Sequence, residues 1–327
     1  MPVFFSDQIL ERKLKLIYRQ FKMTPVALMS TSGTYLVWLL KKNNKKYLIK
    51  IRRRHSKATK QNFIKEILFN NFLSSLKITK LQTPKNIKYN FDREPEYLLY
   101  QIIAGYALSN YFYFVDAFQN HHNDHWPSLT NHLTLIQKNT DLFLKEASLK
   151  KIKLQPHYFL ENFVWFKKYE KNLINYFSIP IINKLEKILL LCQADFNQNL
   201  VLTHGDLNPK NIILNKNQHI GIIDWSDLQL NNEYFDLAFL WLCSWNRPSE
   251  QIRLIKSIKN KHLFYLNTLV WLPKFYQLLT DAHLAAKNEC VSGVINRQQR
   301  NYLLKLINQA DSYYQKNISK IIKYAQK

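Results

Sequence analysis

Short apolar runs bounded by polar turns dominate the first hundred residues of the chain. Such runs predict β-strands, and they lie at residues 25–30, 34–41, 46–53 and 97–104. Between the third and fourth runs the spacing changes, because apolar residues over 57–76 recur at the period of a helix. An added N-terminal helix is predicted over residues 4–22.

Helical periodicity dominates from residue 105 onward. The predicted helices lie at 129–148, 157–177, 181–193, 233–245, 264–287 and 297–325. They are interrupted by three short predicted strands, at 201–203, 212–214 and 220–223. The pattern therefore predicts an α+β fold of two lobes, with a β-rich N-terminal domain over residues 1–104 and a mostly helical C-terminal domain over 105–327.

Three oxygen-bearing side chains lie among the interrupting strands. Asp206 follows the first strand, Asn211 comes five residues later, and the hairpin that follows folds Asp224 back beside Asn211. Phosphoryl transfer needs a metal to neutralise phosphate charge and a group that orients and deprotonates the acceptor hydroxyl. We predict Asp206 as that base and Asn211 and Asp224 as Mg²⁺ ligands. The alternative is an unrelated hairpin with the same side chains, which the strand–loop–strand–turn–strand context disfavours.

The motif His204-Gly205-Asp206 with Asn211, followed by Ile223-Asp224-Trp225, resembles the aminoglycoside phosphotransferase and choline kinase family, which has a protein-kinase-like fold. The resemblance implies ATP and Mg²⁺ as cofactors and transfer of the γ-phosphate to an alcohol group. It also implies structural roles for His204 and Asp236, whose carboxylate would hydrogen-bond the backbone of the catalytic loop.

Two departures from the protein-kinase pattern bear on the acceptor. Gly205 stands where protein kinases have an Arg, and only eleven residues separate Asp224 from Asp236. No long activation segment fits between them. The resemblance therefore favours a small-molecule hydroxyl substrate over a protein.

The N-terminal domain has candidates for nucleotide binding. Lys50 in a strand and Glu66 in the following helix resemble the pair with which kinases bring a lysine to the α and β phosphates. No G-x-G-x-x-G loop occurs, so Ser32 and Gly33, between the first two strands, are the candidate phosphate contacts. The backbone of Gln101 to Ile103 would hold the adenine edge. Each candidate has a plainer alternative. Lys50 could be a solvated strand lysine and Glu66 a surface helix residue. The segment of Ser32 and Gly33 could be an ordinary hairpin turn, and residues 101–103 part of a plain buried strand.

Glycine is rare, with five residues in the chain. Gly33, Gly105, Gly205 and Gly221 fall on candidate motif positions, where we expect each to answer a need for positive φ or close approach of the backbone.

The nature of the acceptor rests on charge and aromatic residues. Residues 224–289 hold seven acids against seven Lys and Arg in a chain of net charge +24. We therefore predict a small cation, such as an aminoglycoside or amino alcohol, with Asp227 and Asp281 as charge partners. Six aromatic residues of this segment would either attract the cation or form core: Trp225, Trp241, Trp245, Trp271, Phe275 and Tyr276. A neutral sugar, nucleoside or antibiotic hydroxyl is the alternative.

The net charge of +24 also raises a different class, a nucleic-acid-binding or anionic-surface-binding protein. Lys outnumbers Arg by 37 to 10, whereas nucleic-acid recognition draws on the arginine fork. We therefore expect no specific nucleic-acid partner. A catalytically silent kinase-fold regulatory module is the third class, which Asp206, Asn211 and Asp224 argue against.

The three cysteines, Cys192, Cys243 and Cys290, are far apart and in no metal or redox spacing, so we expect reduced, buried thiols. No apolar run is long enough to cross a bilayer and the N-terminus lacks a signal core, which predicts a cytoplasmic protein. The sequence makes no prediction of oligomeric state.

Overall fold

The structure is a computed structural model of the 327-residue chain. It describes residues 3–4, 7–31, 35–52, 54–55, 57–90, 96–108, 126–154, 156–215, 217, 219–291 and 297–326. The chain forms two compact units. The first unit comprises residues 1–106, 141–153 and 213–228, and the second comprises 107–140, 154–212 and 229–327.

The strands are β1 (Val3–Phe4), β2 (Thr24–Thr31), β3 (Tyr35–Lys42), β4 (Lys45–Arg52), β5 (Arg54–His55), β6 (Leu81–Gln82), β7 (Lys85–Asn90), β8 (Tyr97–Gln101), β9 (Tyr106–Ala107), β10 (Leu200–Thr203), β11 (Ile212–Leu214), β12 (Ile220–Ile222) and β13 (Gln229–Asn232).

The α-helices are α1 (Asp7–Phe21), α2 (Lys57–Ser75), α3 (Trp126–Lys138), α4 (Thr140–Leu149), α5 (Phe159–Tyr169), α6 (Ile179–Leu191), α7 (Gln193–Phe196), α8 (Phe235–Cys243), α9 (Pro248–Ser257), α10 (Lys261–Val291) and α11 (Arg297–Ala325). In the described part of the chain, 3₁₀ turns lie at Glu170–Leu173, Pro209–Asn211 and Trp225–Asp227.

The first unit is built on an antiparallel sheet of order β2-β3-β4-β8-β7. Its β3–β4 hairpin turns at Asn43 and Asn44, both at positive φ, a conformation that asparagine adopts more readily than most residues. The turn sets the register of β3 and β4, in which Lys50 lies opposite Val37. Lys50 also lies opposite Leu98 of β8, so it stands in the middle of the sheet.

Each face of this sheet is covered by one helix, because residues along a strand alternate between its faces. Ile49 and Ile51 of β4 join the core cluster that contains Leu14 and Ile17 of α1. On the other face, Leu98 and Tyr100 of β8 pack with Phe63 and Ile67 of α2. Lys50 is on the α2 face, since it lies between the two isoleucines.

Helix α2 is buried around most of its circumference. Phe69 and Phe72 of this helix each lie 5.0 Å from the ring of Phe143 on α4. Phe69 also lies 4.4 Å from the ring of Trp225, in the 3₁₀ turn after β12. The helix therefore packs against the sheet on one side and against the segment following β12 on another.

A second sheet has the order β6-β12-β11-β9, with β6 and β12 parallel. Two glycines permit close packing of its strands. A Cβ on Gly105, whose φ is +154°, would lie against the carbonyl oxygen of Leu214, closer than van der Waals contact allows. A Cβ on Gly221 would lie 2.7 Å from Cδ1 of Ile103, at the end of a flexible side chain. The first position therefore excludes any side chain more strictly than the second.

The second unit is mostly helical, and α10 lies at its centre against α5, α6, α8 and α11. Trp271 of α10 is fully buried and stacks on Phe239 of α8 with ring centroids 4.1 Å apart. Strands β10 and β13 pair in antiparallel fashion, with Leu202 opposite Leu230. Among the described residues, no helix combines the length and apolarity needed to span a membrane.

The predicted elements match the structure where the periodicity is strong and differ where it is weak. The predicted helix over 129–148 is two helices, α3 and α4, and 157–177 ends early in a 3₁₀ turn. Strand β13 was missed, because Gln229-Leu230-Asn231-Asn232 has little apolar character and depends on β10 and buried amide contacts. Residues 141–153 and 213–228 cluster with the N-terminal residues. The division into domains 1–104 and 105–327 stays a prediction.

We expect Gly105→Ala to lower the free energy of unfolding more than Gly221→Ala does. At Gly105 the added methyl meets a backbone carbonyl and the φ is strained, which together cost about 2–5 kcal/mol. At Gly221 it meets a movable side chain, and about 1–3 kcal/mol is expected. Urea denaturation of both variants measures the difference. An equal or smaller loss for Gly105→Ala would contradict the close packing of Gly105 on the backbone of Leu214 in β11.

Candidate active site

Lys50 is a buried lysine held by two carboxylates in the first unit. Its Nζ lies 3.0 Å from Oε2 of Glu66 and 2.7 Å from Oδ1 of Asp224. The Tyr35 ring lies beneath the ammonium group, 4.6 Å from Nζ to the centroid. Lys50 and Glu66 are almost fully buried, whereas the Asp224 side chain is 46% exposed. The cluster therefore presents one face to solvent, through Asp224.

Helix α2 brings these groups together. It carries Glu66 towards the sheet, and Phe69 one turn later packs on Trp225. Lys65 Nζ donates to the carbonyl oxygen of Leu228 at 3.1 Å, which ties the helix to the end of the 3₁₀ turn. Asp224 precedes that turn in the left-handed region, with φ 62° and ψ 58°. This backbone conformation is unusual for a residue other than glycine and often marks a functional position.

The charges of this cluster are strongly coupled. Burial lowers the pKa of Lys50, but Asp224 and Glu66 outweigh it and raise the pKa well above its ordinary value, so the lysine stays charged. Burial is also the largest cause at Glu66, whose pKa is raised to about 7. Lys50 opposes that rise and Asp224 adds to it. Two carboxylates share one ammonium, so the charge of Lys50 offsets the effect of burial on the pKa of Glu66 only in part.

The predicted catalytic loop lies in the second unit and is anchored by Asp236. The fully buried carboxylate accepts hydrogen bonds from the backbone N–H of His204, at 2.6 Å, and of Gly205, at 3.0 Å. The contact predicted for Asp236 is therefore present. Gly205 has a φ of 82°, which a residue with a side chain rarely adopts. His204 Nδ1 accepts from the N–H of Asp206 at 3.3 Å.

Asp206 itself is oriented by two asparagines. Asn208 Nδ2 donates to Oδ2 of Asp206 at 3.1 Å and to its backbone oxygen at 3.2 Å. Asn211 Nδ2 donates to the same backbone oxygen at 2.9 Å. Since the amide nitrogen of Asn211 is used by the loop, its amide oxygen is the atom suited to a metal. Asn208 was not singled out from the sequence; its position two residues after Asp206, where Asn side chains bond the local backbone, is the available signal.

The donor chemistry of the predicted metal ligands fits Mg²⁺. Asp224 offers a half-exposed carboxylate, of which Oδ1 already accepts from Lys50 and from Ser226 Oγ, the latter at 3.0 Å. Asn211 offers an amide oxygen. Both are the hard oxygen donors that Mg²⁺ prefers. Asp224 belongs to the first unit and Asn211 to the second.

The other predicted nucleotide contacts are only partly described. Ser32 and Gly33 lie outside the described residues. Gln101 is the last residue of β8, and the N–H of Ile102 donates to a carbonyl of β4. Ile103 is buried. The N–H of Ile102 is thus engaged within the sheet, and the adenine contact of this segment stays a prediction.

The six aromatic residues of the predicted acceptor segment are buried. All six are 6% exposed or less: Trp225, Trp241, Trp245, Trp271, Phe275 and Tyr276. Of the two roles left open for these rings, burial favours packing of the interior over contact with a cation. Asp227, in the 3₁₀ turn of the first unit, and Asp281, on α10 of the second unit, are both exposed.

The prediction for the cysteines needs one correction. Cys243 is fully buried, as expected, but Cys192 is only half-buried. Neither forms a disulfide. The side chain of Cys290 lies outside the described part of the structure.

The sequence comparison matches the segment that carries these residues. Residues 140–260, which contain Asp206, Asn211, Asp224 and Asp236, match the model of the phosphotransferase enzyme family. An aminoglycoside 3'-phosphotransferase from Salmonella typhimurium is 34% identical over 84 residues, which cover 25% of this chain and 31% of that protein. The match thus spans about a third of the curated relative, and the resemblance seen in the motif residues is confirmed.

Solved structures share the fold. A macrolide 2'-phosphotransferase type I has a TM-score of 0.56 at 10% identity, covering 93% of this chain and 98% of that one. The choline kinase LicA from Streptococcus pneumoniae has a TM-score of 0.52 at 17% identity, covering 93% and 99%. The streptomycin-ATP-APH(2'')-IIa ternary complex has a TM-score of 0.51 at 14% identity, covering 95% and 99%. The predicted α+β, protein-kinase-like fold is confirmed.

The raised pKa of Glu66 predicts a specific pH dependence of stability. The ordinary pKa of a glutamate side chain is 4.5, and that of Glu66 in the folded protein is about 7. The folded state therefore binds the carboxyl proton of Glu66 more tightly than the unfolded state does. The stabilisation is fully present below the ordinary pKa and is lost as the pH rises through about 7. Glu66→Gln cannot ionise. We therefore expect wild-type stability to fall relative to the variant between about pH 5 and about pH 8.

Urea denaturation at several pH values measures this difference. Glu233→Gln, at an exposed position, controls for the loss of one carboxylate from the total charge. A difference between wild type and Glu66→Gln that stays constant over the range would show that Glu66 does not titrate there.

Proposed function

We propose that the protein is an ATP-dependent phosphotransferase that moves the γ-phosphate to a hydroxyl of a small molecule. The observation that carries the proposal is the buried Lys50, which Glu66 and Asp224 hold from elements far apart in sequence. A buried ammonium group with one carboxylate at the solvent side is suited to phosphate. The family match over residues 140–260 supports the same reaction class.

The first unit would bind the nucleotide. Glu66 keeps the ammonium of Lys50 in place on β4, so that it can donate to the α and β phosphates. Asp224 and Asn211 would hold Mg²⁺, and the ion, when bound, neutralises phosphate charge. ATP is also the nucleotide in the streptomycin-ATP-APH(2'')-IIa complex, whose fold this chain shares.

Asp206 would act on the acceptor. Its carboxylate, oriented by Asn208, accepts the proton of the acceptor hydroxyl while the hydroxyl oxygen bonds to the γ-phosphorus. The bond from that phosphorus to the β–γ bridging oxygen breaks, and ADP leaves with the electron pair. Asp236 supports this step by fixing the backbone before Asp206.

The acceptor we propose is a hydroxylated small molecule, with a cation such as an aminoglycoside or amino alcohol as the finer assignment. Exposed Asp227 and Asp281 are its candidate charge partners; the buried aromatic rings are not. A nucleotide-consumption screen with Mg²⁺ over hydroxylated compounds tests both levels. If neutral or acidic alcohols react and cationic ones neither react nor inhibit, the finer assignment fails and the phosphotransferase proposal stands.

Asp206→Asn should reduce turnover by about two to four powers of ten, because the acceptor hydroxyl loses its proton acceptor. Nucleotide affinity should be retained, since Asp206 is not assigned to the metal. Steady-state kinetics on the acceptor found in the screen and calorimetric titration with Mg·ATP measure the two quantities. Asp141→Asn, at an exposed position of α4, is the matched control. Wild-type turnover in Asp206→Asn would refute the role of this residue.

Asp224→Ala should weaken Mg²⁺-dependent nucleotide binding more than Asn211→Ala, because a carboxylate supplies charge to the divalent ion that an amide does not. Asp224→Ala also releases Lys50 from one of its two partners. Titration of each variant with ATP in the presence and absence of Mg²⁺ separates the two effects. Unchanged affinity and activity in Asp224→Ala would be incompatible with the proposed metal site.

A further inference from the structure

Three side chains with metal-binding chemistry meet in the second unit, in a group we call the Cys192 cluster: Cys192, Asp195 and His262. One ligand atom from each lies within 4.8 Å of the other two. His262 Nε2 is 3.3 Å from Asp195 Oδ2. All three residues are half-buried, so the cluster is both positioned by the fold and open to solvent.

The cluster is built from two parts of the chain, the junction of α6 with α7 and the start of α10. Helix α6 ends at Leu191, and the N–H of Asp195 donates to the carbonyl oxygen of Cys192 at 3.1 Å. This turn places residues three apart on one side of the backbone. His262 is the second residue of α10 and approaches from 67 residues further along the chain. Sequence spacing alone therefore did not reveal the cluster.

The ligand types fit Zn²⁺. Thiolate, imidazole and carboxylate are its three common protein ligands. With Zn–N and Zn–O distances of about 2.0–2.2 Å, the nitrogen and oxygen of a tetrahedral site lie roughly 3.3–3.5 Å apart. The observed separation between His262 and Asp195 is 3.3 Å. A sulfur ligand also distinguishes this cluster from an Mg²⁺ site, since Mg²⁺ prefers oxygen donors only.

Two of these side chains have few other hydrogen-bond partners in the described part of the structure. The Nδ1 atom of His262 is buried and has no hydrogen-bond partner among the described residues. Nε2, and not this Nδ1, is the ring atom that faces Asp195, so Nδ1 is left to donate to water when Nε2 binds a metal. The Cys192 thiol makes only a long contact of 3.9 Å with the carbonyl oxygen of Ala325. This long thiol contact would not compete strongly with metal coordination.

We propose that Cys192, Asp195 and His262 bind one zinc-class divalent cation. The thiol of Cys192 loses its proton to solvent on binding, and water completes the four-coordinate shell. The ion would join the end of α6 to the first turn of α10. Helix α10 also holds the second unit together, because its Asn267 and Trp271 side chains donate to Asn232 and to the backbone of Phe235. The site therefore stabilises the unit that carries Asp206 and is independent of the proposed phosphotransfer.

Cobalt titration of the full-length, chelator-treated protein tests the proposal without any assay of activity. Co²⁺ added without nucleotide should give a thiolate-to-metal charge-transfer band in the near ultraviolet that saturates at one equivalent. Zn²⁺ should displace the Co²⁺ and bleach the band. Zn²⁺ should also raise the melting temperature, because it binds the folded state preferentially. Absence of a thiolate band in the wild-type protein would overturn the proposal.

Variants assign the band to the cluster. Cys192→Ser should abolish it, and His262→Ala and Asp195→Asn should each weaken Co²⁺ binding at least about tenfold, since even lost outer-shell partners cost about 10–100-fold. His283→Ala, an exposed histidine on the same helix, should bind like wild type. Asp224→Ala should keep the band, because that site has no sulfur ligand.

Metal-free melting curves show which variants are folded. If Cys192→Ser does not fold, the Co²⁺ affinity of His262→Ala tests the proposal in its place. Unchanged Co²⁺ affinity in His262→Ala would exclude the imidazole as a ligand, and a band that persists unchanged in Cys192→Ser would show that another thiol binds the metal. The second outcome would mean that the Cys192 cluster is only an ion pair of Asp195 and His262 beside a thiol that binds no metal.

Discussion

The buried ammonium group of Lys50 is the constraint on which the first unit depends. A lysine removed from water must be paired, because an isolated buried charge costs several kcal/mol. Glu66 and Asp224 pair with it from α2 and from the segment after β12, so three parts of the chain must meet at one atom. Removing either carboxylate would leave the ammonium with one partner. The requirement for pairing thus positions the residues that the proposed reaction needs.

In the second unit the buried group that must be paired is a carboxylate, that of Asp236. Asp236 is fully buried, and burial raises its pKa against the lowering effect of His204 and of the two backbone N–H donors. Its two oxygens are each bonded to the loop that carries Asp206. A carboxylate that must be satisfied holds the backbone before Asp206 in one conformation. In both units a buried charge positions a residue that is partly exposed, Asp224 in the first and Asp206 in the second.

Local pattern predicted much of the fold and failed where tertiary contacts replace it. The β3–β4 hairpin and the bounds of α11 follow from apolar periodicity and polar turns, which act between near neighbours. Strand β13 was missed because its stability comes from β10 and from the buried amide pair of Asn162 and Asn231. Helix α9 was also missed, since it is short and follows the predicted helix 233–245 after only a few residues.

The sequence by itself determined which side chains are assigned to the proposed chemistry, since Lys50, Glu66, Asp206 and Asp224 stand in motifs whose spacing is local or resembles a known family. Tertiary structure decided which of them meet, and what the aromatic residues do. Trp225, for example, is core because Phe69 of α2 packs on it, and Trp271 is core because α10 packs on Phe239 of α8. Cys192 meets His262 because α6 and α10 pack together. Contacts between residues far apart in sequence depend on the packing of whole helices, which no local pattern records.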